Sequence, residues 1–395
     1  MEGQAVTAIR LNPFKGCEGP EGTPVPWSPY GRILAQRPNF TLDPLFHAGC
    51  YYVQDSSSMY VGHVFRKLLG LHPDGTASEP VRGSAAHPSQ TGVWAPPPNI
   101  AGGGMPLGGS AIRVLDLCAA PGGKTTDLAA SLREAFGDAF ELLANEVIRS
   151  RASVLADNVG AWGDPAVTVT SVDPAVMGKT MRGYFDVVVA DVPCSGEGMF
   201  GKDPRARKEW SPQVVELCAA RQKRILADVW PALREGGLLL YSTCTYEDAE
   251  NDSNLEWAAE NLGGEIIAPE NEFAPYGVRM TRHGNLLKEG EVPGGGQWVG
   301  ALRKTSHEEP DRRADMASLR PFESRMQVFD ASVPRVELDL QQALRYLHRD
   351  ALSLPEAPQG LLAVCYRSHP LGFVKNIGSR CNNLYPRSRR IIMDI

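Results

Sequence analysis

Short apolar runs alternate with helical patterns between residues 113 and 242, and this alternation restricts the possible folds more than any other property of the chain. Strands are expected at 113–117, 140–144, 167–169, 185–190 and 238–242, with helical patterns between most of them. Strands separated by helices form a mainly parallel sheet covered on both faces, and ligands of such sheets bind beyond the carboxyl ends of the strands. Three sequence motifs fall at those ends.

The first motif is Val114-Leu-Asp-Leu-Cys-Ala-Ala-Pro-Gly-Gly-Lys-Thr-Thr126, in which an apolar run breaks into a small-residue turn and a helical pattern over 125–132. Gly122 and Gly123 allow a tight bend and close approach of the backbone to a ligand, and the start of the next helix offers free N–H groups. The spacing is neither that of the triphosphate-binding loop nor that of the dinucleotide-binding glycines. A nucleoside with a charged amino-acid tail suits it better. Glu146, after the second strand, is placed to hold ribose hydroxyls, and Asp173, after the third, to accept from an adenine amino group. On its own, either acid would pass for a helix cap or a surface residue.

The other two motifs are Asp191-Val-Pro-Cys-Ser-Gly-Glu-Gly-Met-Phe200 and Tyr241-Ser-Thr-Cys-Thr-Tyr246, which put Cys194 and Cys244 on two loops at one end of the sheet. Two such thiols suit covalent work on a pyrimidine ring. Carbon 5 of cytosine is a poor nucleophile until a thiolate adds at carbon 6. A proton or hydrogen bond at ring nitrogen 3 eases that addition, and Asp191 is the acid at hand. Afterwards the carbon 5 proton must leave and the thiol must be eliminated, a stage that a second cysteine assists. Spacing alone leaves open which cysteine does which.

The remainder of the 395-residue chain suggests two or three domains. Residues 1–70 read as an N-terminal segment, with a strand near 8–13 and a helix capped by the Asp/Ser cluster at 55–58. A Gly/Pro-rich flexible insertion is expected over 71–110, the central domain over 111–302, a charged linker over 303–325 and a smaller domain over 326–395. After about Asn261 the pattern becomes irregular. In the smaller domain a helix is expected over 338–347, with strands near 361–366 and 372–374.

No segment approaches the roughly 18 apolar residues needed to span a bilayer, and no signal-peptide pattern opens the chain. A cytoplasmic protein, without membrane association, is expected. The eight cysteines include no C-x-x-C pair, so neither zinc nor a disulfide framework is expected. Cys218 reads as core, and Cys17, Cys50, Cys365 and Cys381 receive no chemistry. The net charge of -6 leaves room for local basic faces. Lys202, Arg205, Arg207 and Lys208 form one, and Arg221, Lys223 and Arg224 another. The C-terminal segment carries Arg367, Lys375, Arg380, Arg387, Arg389 and Arg390, with Phe373 and Tyr385 interleaved.

Taken together, the segments 116–124, Asn145-Glu146, 191–200, Lys202-Asp-Pro204, Trp210-Ser-Pro212, 241–246, 371–375 and Asn382-Asn-Leu-Tyr-Pro386 resemble the Sun/Fmu-type RNA (cytosine-5) methyltransferases, in their bacterial RsmF-like ribosomal RNA branch. The resemblance implies an α/β fold: a Rossmann-like S-adenosylmethionine-dependent methyltransferase domain with a small N-terminal α/β segment and a C-terminal PUA-like α+β RNA-binding domain. It implies Cys244 as nucleophile, Cys194 in product release, Asp191 at ring nitrogen 3 and Lys124 as an orienting cation. It also implies S-adenosylmethionine contacts from Cys118, Ala119, Ala120, Pro121, Gly122, Gly123, Lys124, Glu146, Asp173 and Asp191. The expected partner is small-subunit (16S) ribosomal RNA or the assembling 30S subunit, met by a monomer. The chain departs from the family pattern in a short N-terminal part, in the insertion, and at 277–302, where Arg-Met-Thr-Arg-His and Gly-Gly-Gly-Gln-Trp replace the usual residues.

Other classes of function make different demands. A transfer RNA methyltransferase would share the site, and a DNA cytosine methyltransferase would attack from the Pro-Cys loop. A non-catalytic ribosome-assembly factor could lose either thiol, and both are present.

Overall fold

The computed structural model describes residues 6–71, 111–311, 314, 319–322 and 332–395. Apart from Leu71, the expected insertion lies outside the described residues, as do most of 312–325 and residues 326–331 of the expected C-terminal domain.

An antiparallel sheet opens the chain, formed by β1 (Thr7–Leu11), β2 (Thr23–Pro24), β3 (Gly31–Leu34) and β4 (Tyr51–Val53) in the order β2-β3-β1-β4. The short helix α1 (Pro44–His47) precedes β4, with Asp43 accepting from the Leu45 N–H as its cap. Pairing of Leu11 with Tyr51 brings the end of β1 beside the start of β4, and Cys17 and Cys50 are joined there in a disulfide with their Cα atoms 5.5 Å apart. This corrects the expectation of unpaired cysteines: 33 residues separate the two in sequence, and only strand pairing makes them neighbours. Asp55 caps the next helical run by accepting from the Ser57 and Ser58 N–H groups. Helix α2 (Tyr60–Leu68) follows and buries Val61 and Phe65.

The central sheet follows the expected alternation. Strand β5 (Ile112–Asp116) leads to α3 (Gly123–Phe136), β6 (Phe140–Asn145) to α4 (Arg149–Trp162), and β7 (Val167–Thr170) to α5 (Pro174–Thr180). After β8 (Phe185–Asp191) come α6 (Pro204–Glu209) and α7 (Pro212–Val229), and after β9 (Leu233–Thr243) comes α8 (Asp252–Leu262). The order β9-β8-β5-β6-β7 is parallel throughout. The chain runs outward from β5 through β6 to β7, then returns to the other side at β8. The switch point between β5 and β8 opens the crevice where such sheets bind ligands.

The region after residue 261 is more regular than its sequence suggests. Strands β10 (Gly264–Ile267), β11 (Arg279–Met280), β12 (Gly284–Leu287) and β13 (Gln297–Lys304) extend the sheet antiparallel past β9. Strand β13 lies between β9 and β12 and is buried along nearly its whole length, so no polar alternation marks it. It continues through Arg303 and Lys304 into the stretch expected as linker. The Lys304 ammonium is buried and donates to the carbonyls of Trp230 and Leu233 at 2.8 Å each. Separate apolar clusters cover the two faces of the sheet. One contains Phe65, Leu128, Leu142 and Val299, the other Leu115, Phe185, Leu226 and Trp298.

The C-terminal unit has β14 (Arg335–Glu337), α9 (Leu340–His348), β15 (Gly360–Tyr366), β16 (His369–Asn376) and β17 (Cys381–Asn383), with strands in that order. A capping box between Asp339 and Gln342 starts α9. The aromatics expected among its basic residues do not face outward: Phe373 and Tyr385 are buried. Ile9, Leu45 and Tyr51 of the N-terminal unit share one apolar cluster with Tyr346, Leu371 and Tyr385, so the two ends of the chain bury a common core.

Candidate active site

The turn after β5 is built around a left-handed residue. Gly122 adopts φ +113° and caps α3, a conformation that a side chain would strain. The first turn of α3 keeps N–H groups that no earlier helical carbonyl satisfies, with the positive end of the helix dipole behind them. Arg10 of β1 holds this turn from below. Fully buried, it donates to the Gly123 carbonyl at 3.1 Å, to Thr126, and to Gln54 at 2.9 Å. The Ala119 N–H donates to the Asn145 carbonyl at 2.8 Å, joining the turn to the end of β6.

Around the turn stand the expected acids. Glu146 is buried, accepts from the Ile148 N–H at 2.9 Å and pairs with Arg151 at 3.2 Å. Asp173 is exposed and caps α5 through the Ala175 N–H at 2.9 Å. Cys118 lies at the turn, and burial pushes its thiol far above the ordinary range. Asp116 is fully buried and accepts from the Thr125 hydroxyl at 2.7 Å, while its second oxygen has no protein partner. Burial raises its carboxyl to about 7. Free helix N–H groups, a buried carboxylate at the second strand and an orphaned buried oxygen together suit a ligand with an amino-acid end and a ribose.

The two thiols meet beside this turn. Asp191 pairs with Ser242 in the β8–β9 ladder, so the loops leaving both strands start level, and Cys194 Sγ lies 3.0 Å from Cys244 Sγ. The Lys124 ammonium contacts the Asp191 carboxylate at 2.8 Å and the Ser58 hydroxyl at 2.9 Å. Asp191 also accepts from the Ser242 hydroxyl at 2.8 Å.

The pair shares its proton unequally. The hydrogen bond with Cys194 holds the Cys244 thiol below its ordinary range; burial and Asp191 act in the opposite sense, and Lys124 adds to the lowering. Cys194 is pushed well above its range, first by the hydrogen bond with Cys244 and then by burial. The Cys244 N–H donates to Cys194 Sγ at 3.2 Å, which acts against the rise at Cys194 without reversing it. Cys244 is therefore the more acidic thiol of the two.

Comparison with known proteins decides the family. Residues 110–263 match the family described as 16S rRNA methyltransferase RsmB/F, residues 1–56 match the N-terminal domain of 16S rRNA methyltransferase RsmF, and residues 333–391 match the methyltransferase RsmF PUA domain. Over residues 110–263 the chain belongs to the RsmB/F methyltransferase family. Ribosomal RNA small subunit methyltransferase F of Escherichia coli O9:H4 is 33% identical over 272 residues, which cover 68% of this chain and 47% of the relative. The Cronobacter sakazakii protein of the same name is 31% identical over 358 residues, covering 87% of this chain and 65% of the relative. The chain thus spans about half to two thirds of the length of these relatives. A methyltransferase homologue from Pyrococcus horikoshii shares the fold, with a TM-score of 0.56 at 23% identity, over 77% of this chain and 88% of that one.

In this RsmB/F-type site several supporting residues escape the sequence reading. Glu250 is buried and accepts from the Ser195 N–H at 3.1 Å and from Gln222 at 2.7 Å, while Gln222 also donates to the Pro193 carbonyl at 2.9 Å. Glu197 accepts from the Tyr246 N–H at 2.9 Å and the Thr245 hydroxyl at 3.0 Å, tying one cysteine loop to the other. Glu197 lies within a recognised motif, whereas nothing in sequence spacing links Gln222 and Glu250 to Cys194. The 277–302 region also reaches the site. Gln297 donates to the Thr243 carbonyl at 2.8 Å, and the Ser57 hydroxyl donates to the Gly295 carbonyl at 2.8 Å. Gly296 packs so close to Gly198 that an added Cβ would lie 2.5 Å from the Gly198 Cα.

The basic clusters are only partly available to a partner. Lys202 is ion-paired with Asp55, and Arg205 with Asp203 at 2.9 Å. Arg389 donates to the Asp157 carbonyl at 2.6 Å, which joins the C-terminal unit to α4. Arg367, Lys375, Arg380, Arg387 and Arg390 are exposed.

Proposed function

We propose that the protein is an S-adenosylmethionine-dependent methyltransferase that modifies carbon 5 of a cytosine in small-subunit ribosomal RNA, working as a cytoplasmic monomer on the RNA or the assembling subunit. The observation that carries this reading is the Cys194–Cys244 contact of 3.0 Å, with Cys244 the more acidic thiol beside the Lys124–Asp191 pair. The relatives named as ribosomal RNA small subunit methyltransferases support the substrate, as do the exposed arginines of the C-terminal unit.

In this reading the α3 N-terminus and the 118–124 turn hold the amino-acid end of the cofactor, Glu146 holds the ribose, and Asp173 and Asp191 complete the cradle. The cofactor supplies an electrophilic methyl group. Cys244 adds to carbon 6 of an unstacked cytosine, and Asp191, held by Lys124, shares the proton at ring nitrogen 3. Carbon 5, made electron-rich by that addition, would accept the methyl group that the cofactor supplies when bound. Once the Cys244 sulfur is bound to carbon, the hydrogen bond from a Cys244 thiol no longer raises Cys194, which gives its proton to solvent and serves as base. It takes the carbon 5 proton as the carbon 6–sulfur bond breaks, which returns Cys244 as thiolate.

The test supplies purified protein and methyl-labelled cofactor with small-subunit RNA, assembled small subunits, large-subunit RNA, transfer RNA and DNA in separate reactions. Label recovered as 5-methylcytosine in small-subunit RNA is the expected result. Label confined to transfer RNA would replace the substrate, and label in no RNA would overturn the proposal.

A further inference from the structure

A second group of sulfur and nitrogen ligands lies where the two ends of the chain meet. Cys17 follows β1, Cys50 precedes β4 and His369 opens β16, so two units contribute to one cluster. Cys17 Sγ lies 3.5 Å from His369 Nδ1, and the three ligand atoms all fall within 4.8 Å of one another. Cys50 is fully buried, whereas Cys17 and His369 are half-buried and Cys17 lines an open groove with Glu18, Gly19 and Pro20. Thiolate and imidazole around one point are the donor set of zinc-class cations. At ordinary bond lengths, two ligands of a tetrahedral zinc ion lie about 3.3–3.8 Å apart, which matches the sulfur–nitrogen contact.

The placement of His369 is itself unusual. Tyr366 pairs with His369, so the β15–β16 hairpin turns on Arg367 and Ser368 alone, and these have φ +48° and +68°. Such a turn ordinarily uses asparagine and glycine, and two other side chains in the left-handed region carry strain. The Ser368 N–H is fixed by the Glu337 carboxylate at 3.1 Å. The hairpin thus keeps a costly turn at the point where it brings His369 against Cys17.

We propose that Cys17, Cys50 and His369 form a binding site for a zinc-class divalent cation in the reduced protein, and that the disulfide is the alternative, oxidised state of the same site. Reduction by a dithiol transfers two electrons and two protons to the sulfur–sulfur bond and yields two thiols, while the dithiol becomes a disulfide. Cation binding releases the two thiol protons to solvent, takes a lone pair from His369 Nδ1 and leaves a fourth position for water. Loss of the cation and transfer of two electrons and two protons to an oxidised dithiol restore the Cys17–Cys50 bond. With the cation bound, His369 joins the C-terminal hairpin to the N-terminal sheet through coordinate bonds. The oxidised state lacks this connection.

Cobalt(II) is the probe, because thiolate ligands give it an intense charge-transfer absorption. The full chain, reduced with a dithiol, freed of excess reductant and kept anaerobic, is expected to bind one equivalent and show that band. Zinc should displace cobalt, and the oxidised protein should show no band. Cys17→Ser should abolish the band, and His369→Ala, at a half-buried position and with circular dichroism as the check on folding, should weaken binding on the order of a hundredfold. Absence of the band in the reduced protein would overturn the proposal. So would a band that survives in Cys17→Ser, which would place the metal at Cys194 and Cys244, or one that is unchanged by His369→Ala.

Discussion

Among single residues, the outcome turns on where one proton sits. Cys194 and Cys244 are in contact with each other, and their types and spacing carry no asymmetry. The asymmetry in acidity comes first from their mutual hydrogen bond, and Lys124, placed by the turn after β5 on a different strand from the two that carry the thiols, adds to the lowering of Cys244. This is why the sequence shows that two cysteines meet but only a family resemblance ranks them. Because Lys124 helps to hold Cys244 below its ordinary range, Lys124→Met should move the rising limb of the pH–rate profile to higher pH. At the low-pH end, where the variant thiol is protonated and the parent thiol is not, methyl transfer should fall most. Single-turnover rates with saturating cofactor across the pH range check this. An unshifted profile of lower amplitude would limit Lys124 to positioning.

For the elements, legibility followed the connections. Strands β5 to β9 could be read because each apolar run ends in a turn and a helix, whereas β10 to β13 could not. Strand β13 is buried on both faces, starts after three glycines, and ends in two cationic residues, one of them a buried lysine whose ammonium is satisfied by carbonyls. The support of the turn after β5 was hidden as well, since Arg10 lies more than 100 positions from the residues of that turn it holds. Arg10 pairs with Asp127 at 3.8 Å and satisfies the carbonyls of the first turn of α3. Arg10→Met removes this ion pair and its hydrogen bonds, although Asp127 keeps Arg66 and the Gly123 carbonyl keeps the Thr126 hydroxyl, and should cost about 1–3 kcal/mol. Denaturant unfolding measures that loss, and equilibrium binding should show weakened cofactor affinity in the folded fraction.

The whole molecule is closed by the core that its first and last segments share, and no pattern local to either segment announces it. His47 sits in this core. Its Nε2–H donates to the Thr41 carbonyl at 2.9 Å, and its Nδ1 meets the Tyr385 hydroxyl at 3.2 Å. Burial lowers its pKa from 6.5 to about 4, with Arg389 acting in the same direction and the Thr41 carbonyl and Asp43 against it. The folded state therefore holds His47 neutral where the unfolded chain would protonate it. The resulting stability is complete above pH 6.5 and is lost as pH falls through about 4. Thermal melts across that window should show a steeper loss for the parent protein than for His47→Gln, and equal slopes would contradict the assignment.

The central claim, that Cys244 attacks and Cys194 releases, is tested most directly by separating the protein–RNA adduct on denaturing gels after incubation with substrate RNA and cofactor. The account predicts no adduct and no methylation with Cys244→Ala, and a stable adduct that accumulates with Cys194→Ala. An adduct formed by Cys244→Ala and absent from Cys194→Ala would contradict it.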